Sequence, residues 1–217
     1  AHWVVRRWIR PEIQALSAYH VPPARGFIKL DAMENPYGWP PELVQAWLDT
    51  LRSVELNRYP DPGASELSDA LRRAMQVPAG MQVVLGNGSD ELIQMLALAV
   101  AAPGRVVLAP DPTFVMYRMI ATFCGMKYIG VPLVAEDFSL DVPAVIQAMD
   151  QYQPAVVFLA YPNNPTGTYF SHTELTKFMD KISSDILVVV DEAYYEYADA
   201  DDYPDSLSLL NTYPNLL

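Results

Sequence analysis

Cysteine is almost absent: Cys124 is the single one in 217 residues. An intrachain disulfide framework is therefore excluded, and such usage suits a reducing compartment. Cys124 follows Ala121-Thr-Phe123 in a helical stretch and reads as a small, inert core residue. Histidine is scarce too, and His2, His20 and His172 show no metal-ligand spacing. Positive charge is in short supply: 14 Lys and Arg stand against 26 Asp and Glu, a net charge of -12. A chain so acidic lacks the phosphate contacts of a non-specific nucleic-acid binder, and the small group Arg6, Arg7 and Arg10 does not change that. Long apolar runs are missing as well. The longest, residues 92–102, contains Gln94 and stops at Pro103-Gly104, short of the ~18 residues that span a membrane. The same three arginines interrupt residues 1–10, so a signal-peptide core is not expected there. These absences leave the expectation of a soluble, cytoplasmic protein with neither nucleic acid nor membrane as partner. At 51% hydrophobic residues it has material for one large domain, or one domain with a small appendage.

Residues 1–40 are rich in Pro, Trp and Tyr and read as an arm, with one short strand candidate at 27–32. A helix is predicted over 41–51, where Pro41 at the first position costs little because that N–H has no partner anyway. A turn-rich stretch (Asn57-Arg-Tyr-Pro-Asp-Pro-Gly63) and a helix over 65–75 follow. The chain then alternates: strands over 82–86, 105–109, 127–131, 155–159 and 186–190, and helices over 89–102, 114–123, 142–149 and 172–182. The strands are near-continuous apolar runs and the helices between them amphipathic. That pattern predicts an α/β fold whose mostly parallel sheet is covered by helices on both faces. Ser171-His-Thr-Glu174 has capping-box spacing, and Asp141 before Val142-Pro143 reads as an N-cap. His172 is accordingly expected as a first-turn helix residue; an acidic, solvated loop is expected over 199–205, which lies outside the residues that the structure describes.

Chemistry gathers where strands end, the edge at which open α/β sheets bind ligands. Leu85-Gly-Asn-Gly-Ser-Asp-Glu91 joins a strand to a helix, and its glycines and free N–H groups could receive an anion or form an ordinary turn. It is neither a dinucleotide fingerprint nor a Walker loop. Phe114, just after the next strand, could lie against an aromatic ring or pack as core. Pro162-Asn-Asn-Pro-Thr-Gly167 fixes a turn tightly enough to aim the Asn164 amide at an oxygen, and the Asn164–Pro165 bond is predicted cis. Asp191 emerges from Val188-Val-Val190 with Tyr194 three residues on. A carboxylate leaving the core needs a positive or donating partner. A protonated ring nitrogen would serve, as would a cap or a structural ion pair.

Taken together, these segments resemble the fold-type-I aminotransferases, which use pyridoxal 5'-phosphate. More closely they are similar to the histidinol-phosphate aminotransferase family. The likeness rests on Arg10-Pro-Glu-Ile13, Leu16-Ser-Ala-Tyr-His20, Lys29-Leu-Asp-Ala-Met-Glu-Asn-Pro-Tyr-Gly38 and Asn57-Arg-Tyr-Pro-Asp61. Gly86-Asn-Gly-Ser-Asp-Glu91, the 162–167 turn and Val190-Asp-Glu-Ala-Tyr194 complete it. The last two occur widely in the superfamily, and the first two narrow it to this branch. The resemblance implies an arm and small-domain segment over 1–40 and a cofactor-binding large domain over 41–217. It implies that Asp191 pairs with the pyridinium nitrogen, and that Asn164 and Tyr194 bond the ring's phenolic oxygen. Phe114 would stack on the ring, and Gly88, Ser89 and Asp90 would cradle the phosphate. Tyr59 would reach the phosphate of a neighbouring subunit in a homodimer, and Tyr19 and Asn35 would help hold substrate. The implied reaction exchanges an amino group between histidinol phosphate and 2-oxoglutarate, with glutamate as the other product.

Two positions depart from the family: Met33 stands where Asn is common, and Phe114 where relatives often carry another aromatic residue. A larger departure concerns the lysine that forms a Schiff base with the cofactor. In the family it lies in a Ser-Lys motif downstream of the Asp191 segment. Here only Lys177 and Lys181 follow Gly167, and neither matches. The expectation is that this lysine lies beyond Leu217, that no catalytic residue of that kind is in the chain, and that these 217 residues alone do not transaminate. Competing readings are a threonine-phosphate decarboxylase or aromatic aminotransferase with the same cofactor, a non-catalytic interaction protein that keeps the fold, and a Rossmann-type nucleotide binder.

Overall fold

A computed structural model of the protein describes residues 7–18, 21–30, 32–198 and 206–217. The chain divides into two compact units, Ala15–Leu67 on one hand and Ala1–Gln14 with Ser68–Leu217 on the other. A helical turn α1 (Pro11–Gln14) belongs to the larger unit. The smaller unit carries α2 (Pro41–Leu51), with a proline in its first turn as expected, and the start of α3 (Ser65–Ala74). Asp61 accepts from the Gly63 and Ser65 amides at 3.0 and 2.9 Å, which ties the 57–63 turn to the head of α3. Those bonds hold its carboxyl below the usual carboxylate range. The strand expected over 27–32 is not present: Phe27, Ile28 and Leu30 are exposed in irregular backbone, and Asp31 lies outside the described residues.

The larger unit holds α4 (Ser89–Val100), β1 (Val106–Asp111), α5 (Val115–Phe123), β2 (Lys127–Pro132) and α6 (Val142–Tyr152). It continues with β3 (Val156–Ala160), α7 (His172–Lys181), β4 (Leu187–Asp191), a 3-10 turn (Tyr195–Tyr197) and α8 (Ser206–Leu209). Among the described residues, these strands form one parallel sheet in the order β2-β1-β3-β4. Within this unit the expected elements agree to within a few residues, with one exception. Residues 82–86 form no strand, because no described strand runs beside them to complete a ladder. An apolar cleft lies between them and β4, lined by Met81, Val84, Val189 and Leu216. On β4 itself the chain's last residues begin to pair in parallel. The Leu217 amide donates to Val188 O at 2.9 Å, and the Val190 amide to Leu217 O at 3.0 Å.

The alternation of strand side chains sorts the core into two layers. Leu108, Val157, Leu159 and Val188 face α6 and α7, packing with Val145, Met149, Leu175, Phe178 and Met179. Val107, Ala109, Val156 and Phe158 face the other way, against Ile93 and Ala97 of α4 and Tyr117, Ile120 and Ala121 of α5. Cys124, at the end of α5, is half-buried beside this second layer, where burial pushes its thiol up. The helix starts follow the expected chemistry. Asp141 accepts from the Ala144 amide at 3.0 Å, and Ser171 and Glu174 make the reciprocal bonds of a capping box. Replacing the fully buried Leu175 by Ala is expected to cost about 2–5 kcal/mol. Ser171→Ala should cost only ~1 kcal/mol. Urea unfolding of both variants checks this ordering.

Candidate active site

After β1 the chain moves outward to β2, then crosses back to β3 on the other side. The switch point therefore lies between the carboxyl ends of β1 and β3, where a crevice opens in doubly wound sheets. Register brings the third strand end level with it: Ala160 is paired with Asp191, and the Tyr161 amide donates to Asp191 O at 2.8 Å. The 161–168 turn is built as the sequence suggested. Asn164–Pro165 is cis, as are Tyr161–Pro162 and Asp111–Pro112. The Gly167 amide donates to Asn163 O and the Asn163 amide to Thr168 O, both at 2.8 Å. Gly167 has φ 69°, which favours glycine.

Sequence reasoning passed over Asn163, the amide that locks the turn. Its Nδ2 donates to Pro112 O at 3.0 Å and Thr166 Oγ1 at 2.8 Å. Its Oδ1 accepts from Thr113 Oγ1 at 2.7 Å. It thereby ties the turn after β3 to the turn after β1, and with its polar atoms so committed it is buried. Asn164 lines the cleft instead. The two amides are neighbours of one type; the sequence reading singled out Asn164 and left Asn163 without a role.

A second omission is Tyr117. Its hydroxyl donates to Asp191 Oδ2 at 2.7 Å, while Asp191 Oδ1 accepts from the Ala193 amide at 3.2 Å. The Tyr117 ring is stacked on Phe158 at 4.8 Å and meets Phe114 edge-on at 5.6 Å. Burial above all, then the facing Asp191 charge, pushes its phenol far above the ordinary range, so it stays a donor. The signal was available: Tyr117 follows Phe114 by three residues at the start of a helix, hence on the same face.

The head of α4 has its N-cap at Gly88, with φ 84° and no side chain capping the first turn. Its donors point outward from a positive helix end. Glu91 turns back to accept from the Asn87 amide. Ser89, Phe114, Asn164, Asp191 and Tyr194 all line one cleft of about 280 Å³ of empty space, counting its open side. Gly88 and Asp90 flank Ser89 in sequence, and Asp90 is close enough to Tyr117 for its charge to act on the phenol. Tyr59 and Asn35 belong to the smaller unit. There Tyr59 is fully exposed, and Asn35 Oδ1 accepts from the Tyr37 amide at 3.0 Å. Tyr19 lies outside the described residues. Among the described residues no cluster of His, Cys, Asp and Glu could hold a metal ion, and no helix is long and apolar enough to cross a membrane.

The cleft therefore offers a carboxylate, an amide, a phenol, a ring face and a helix start. The family profile described as aminotransferase class I and II matches residues 25–217. The chain belongs to that family. Among curated class I and II aminotransferases it is 60% identical over 194 residues to histidinol-phosphate aminotransferase 2 of Nitrosococcus oceani, covering 89% of this chain and 53% of that protein. It is 56% identical over 188 residues to histidinol-phosphate aminotransferase of Thiocapsa roseopersicina, covering 87% of this chain and 98% of that one. A crystal structure of histidinol-phosphate aminotransferase from Sinorhizobium meliloti in complex with pyridoxal-5'-phosphate superposes with a TM-score of 0.77 at 25% identity, over 96% of this chain and 56% of that one. The chain thus spans about half the length of several relatives it matches. Within this aminotransferase fold the two amides should separate cleanly by stability. Asn163→Ala, which strands Thr113 and the Pro112 carbonyl, is expected to cost about 1–3 kcal/mol. Asn164→Ala should change it by less than ~1 kcal/mol. Chemical denaturation of each variant reads the difference.

Proposed function

We propose that this chain forms the cofactor-holding part of a histidinol-phosphate aminotransferase. The reaction passes the amino group of histidinol phosphate to 2-oxoglutarate, giving imidazole acetol phosphate and glutamate. One observation carries the reading: Ser89, Phe114, Asn164, Asp191 and Tyr194 line a single cleft at the sheet's switch point. The names of the relatives at 56% and 60% identity support it.

The residues fit pyridoxal 5'-phosphate. Among the described residues Asp191 has one donor on each oxygen, and a carboxylate oxygen accepts two, so acceptor positions remain for a ring N–H. The first turn of α4 has no side-chain cap, which leaves it suited to a phosphate. When bound, the cofactor supplies an electron sink for the carbon that exchanges its amino group. The protein positions and polarises. Asp191 keeps a proton on the ring nitrogen, Asn164 and Tyr194 bond the phenolic oxygen, and Phe114 covers one face. Gly88, Ser89 and Asp90 hold the phosphate. Tyr59 serves the site of a second subunit in a homodimer, and Tyr19 and Asn35 hold substrate. The division into an arm over 1–40 and a large domain over 41–217, and a cytoplasmic location, belong to the same reading. Neither lysine of α7 suits the covalent role. That helix packs on the α6/α7 face of the sheet, away from Tyr117 and Phe158.

The test uses the polypeptide expressed from its complete reading frame. With pyridoxal phosphate it should show a protein-bound cofactor absorbance that histidinol phosphate abolishes. Absence of any such band overturns the reading, and a response to threonine phosphate alone redirects it to a decarboxylase. Asp191→Ala strands the buried Tyr117 hydroxyl, at a cost of about 1–3 kcal/mol in stability, and the folded variant should lose on the order of 100-fold or more in turnover, the scale seen when one electrostatic stabiliser is removed. Near-normal turnover in that variant removes Asp191 from the proposed role.

A further inference from the structure

We infer that Tyr117 is a positioning residue of this site: through its hydroxyl it holds Asp191 in place to pair with a ring nitrogen, and through its ring it sets the seat of Phe114. The inference rests on the pyridoxal phosphate reading and adds a residue that does not line the cleft.

The first observation is connectivity. Asp191 ends β4, and Phe114 is the N-cap of α5. Tyr117 touches both, by a 2.7 Å hydrogen bond to Asp191 Oδ2 and an edge contact to the Phe114 ring at 5.6 Å. The group meant to face the ring nitrogen and the group meant to cover the ring are thus fixed to one side chain. That side chain is itself immobile. It is 1% exposed, and its ring lies parallel to Phe158 of β3, 8° apart in plane.

The second observation is the choice of residue. For packing alone, phenylalanine fills the same space without bringing a hydroxyl into the core. A buried hydroxyl is tolerated only with a partner, and the partner here is a half-buried carboxylate on another element. Hydrogen bonds to charged groups are stronger than those between neutral ones. Among the described residues the Ala193 amide is the other donor to Asp191, and it sits only two residues away on the same strand end. Tyr117, 74 residues distant, is what ties the carboxylate to the helix layer. With a donor on each oxygen, rotation of the carboxylate plane is restrained from two directions. The acceptor positions left over then point in a fixed direction.

The experiment uses the complete polypeptide and pyridoxamine 5'-phosphate labelled with nitrogen-15 in the ring, a probe that needs no lysine. Nitrogen NMR of the complex reads the pH at which the ring nitrogen loses its proton. In Tyr117→Phe that midpoint is expected to fall by about one pH unit and the affinity by about tenfold, the scale of one hydrogen bond to a charged group. Asn164→Ala should weaken binding and leave the midpoint in place. A folded Tyr117→Phe protein with an unchanged midpoint overturns the inference, as does an equal shift in Asn164→Ala. Should Tyr117→Phe fail to fold, the wild-type protein decides: the Tyr117 hydroxyl proton resonance must move when the probe binds, and one indifferent to the probe overturns the inference. A wild-type protein that does not bind the probe at all fails earlier, at the cofactor reading itself.

Discussion

The parallel register that sets Ala160 beside Asp191 is the constraint on which the site depends. Parallel ladders have no tight hairpin to define their pairing, so register must come from burial on both faces. β3 meets that demand. Val156, Val157, Phe158 and Leu159 are all 0–1% exposed, and a slip by one residue would send every one of them into the wrong layer. The carboxyl ends of β3 and β4 are therefore level for reasons unrelated to catalysis. Asp191 inherits its position from valines and a phenylalanine behind it.

The same alternation decides which layer Asp191 addresses. Leu187 and Val189 pack with the α4/α5 layer and Val188 with the α6/α7 layer. Counting on by two places Asp191 on the α4/α5 side, the side that holds Tyr117 and the uncapped head of α4. Polar function and apolar core are thus one pattern read to its end. The strand supplies alternating hydrophobes until it leaves the core, and the next residue on that face is the carboxylate.

Much of this was legible in the sequence, because apolar runs and capping residues are local signals. The capping box at Ser171 and the cis bond at Asn164–Pro165 were expected and are present. Asn164, Asp191 and Tyr194 were drawn to one sheet edge by their places at strand ends, whereas only the resemblance added Ser89 and Phe114; all five line one cleft. What escaped notice depends on pairs distant in the chain. Residues 82–86 have strand composition, yet a strand needs a neighbour, and composition cannot report one. The role of Asn163 emerges only when Thr113 and Pro112, 50 and 51 residues away, are brought against it. Tyr117 is buried like its helix neighbours, and only its hydroxyl's partner reveals more.

These long-range bonds share a property that bears on how the site works. None of them involves a ligand. Asn163 clamps the turns after β1 and β3 to each other, and Tyr117 clamps the end of β4 to α5. The groups that line the cleft are thereby held by a second set of residues with their own partners. A site organised in this way orders few side chains on binding, and each mobile one would otherwise cost about 0.5–1.5 kcal/mol of affinity. Fixed donors and charges also need no reorganisation when charge moves in the reaction, which is where electrostatic stabilisation is most effective. The chain keeps two classes of polar residue at one sheet edge. One class faces the cleft, and the other, built from Asn163, Thr113 and Tyr117, holds the edge in shape.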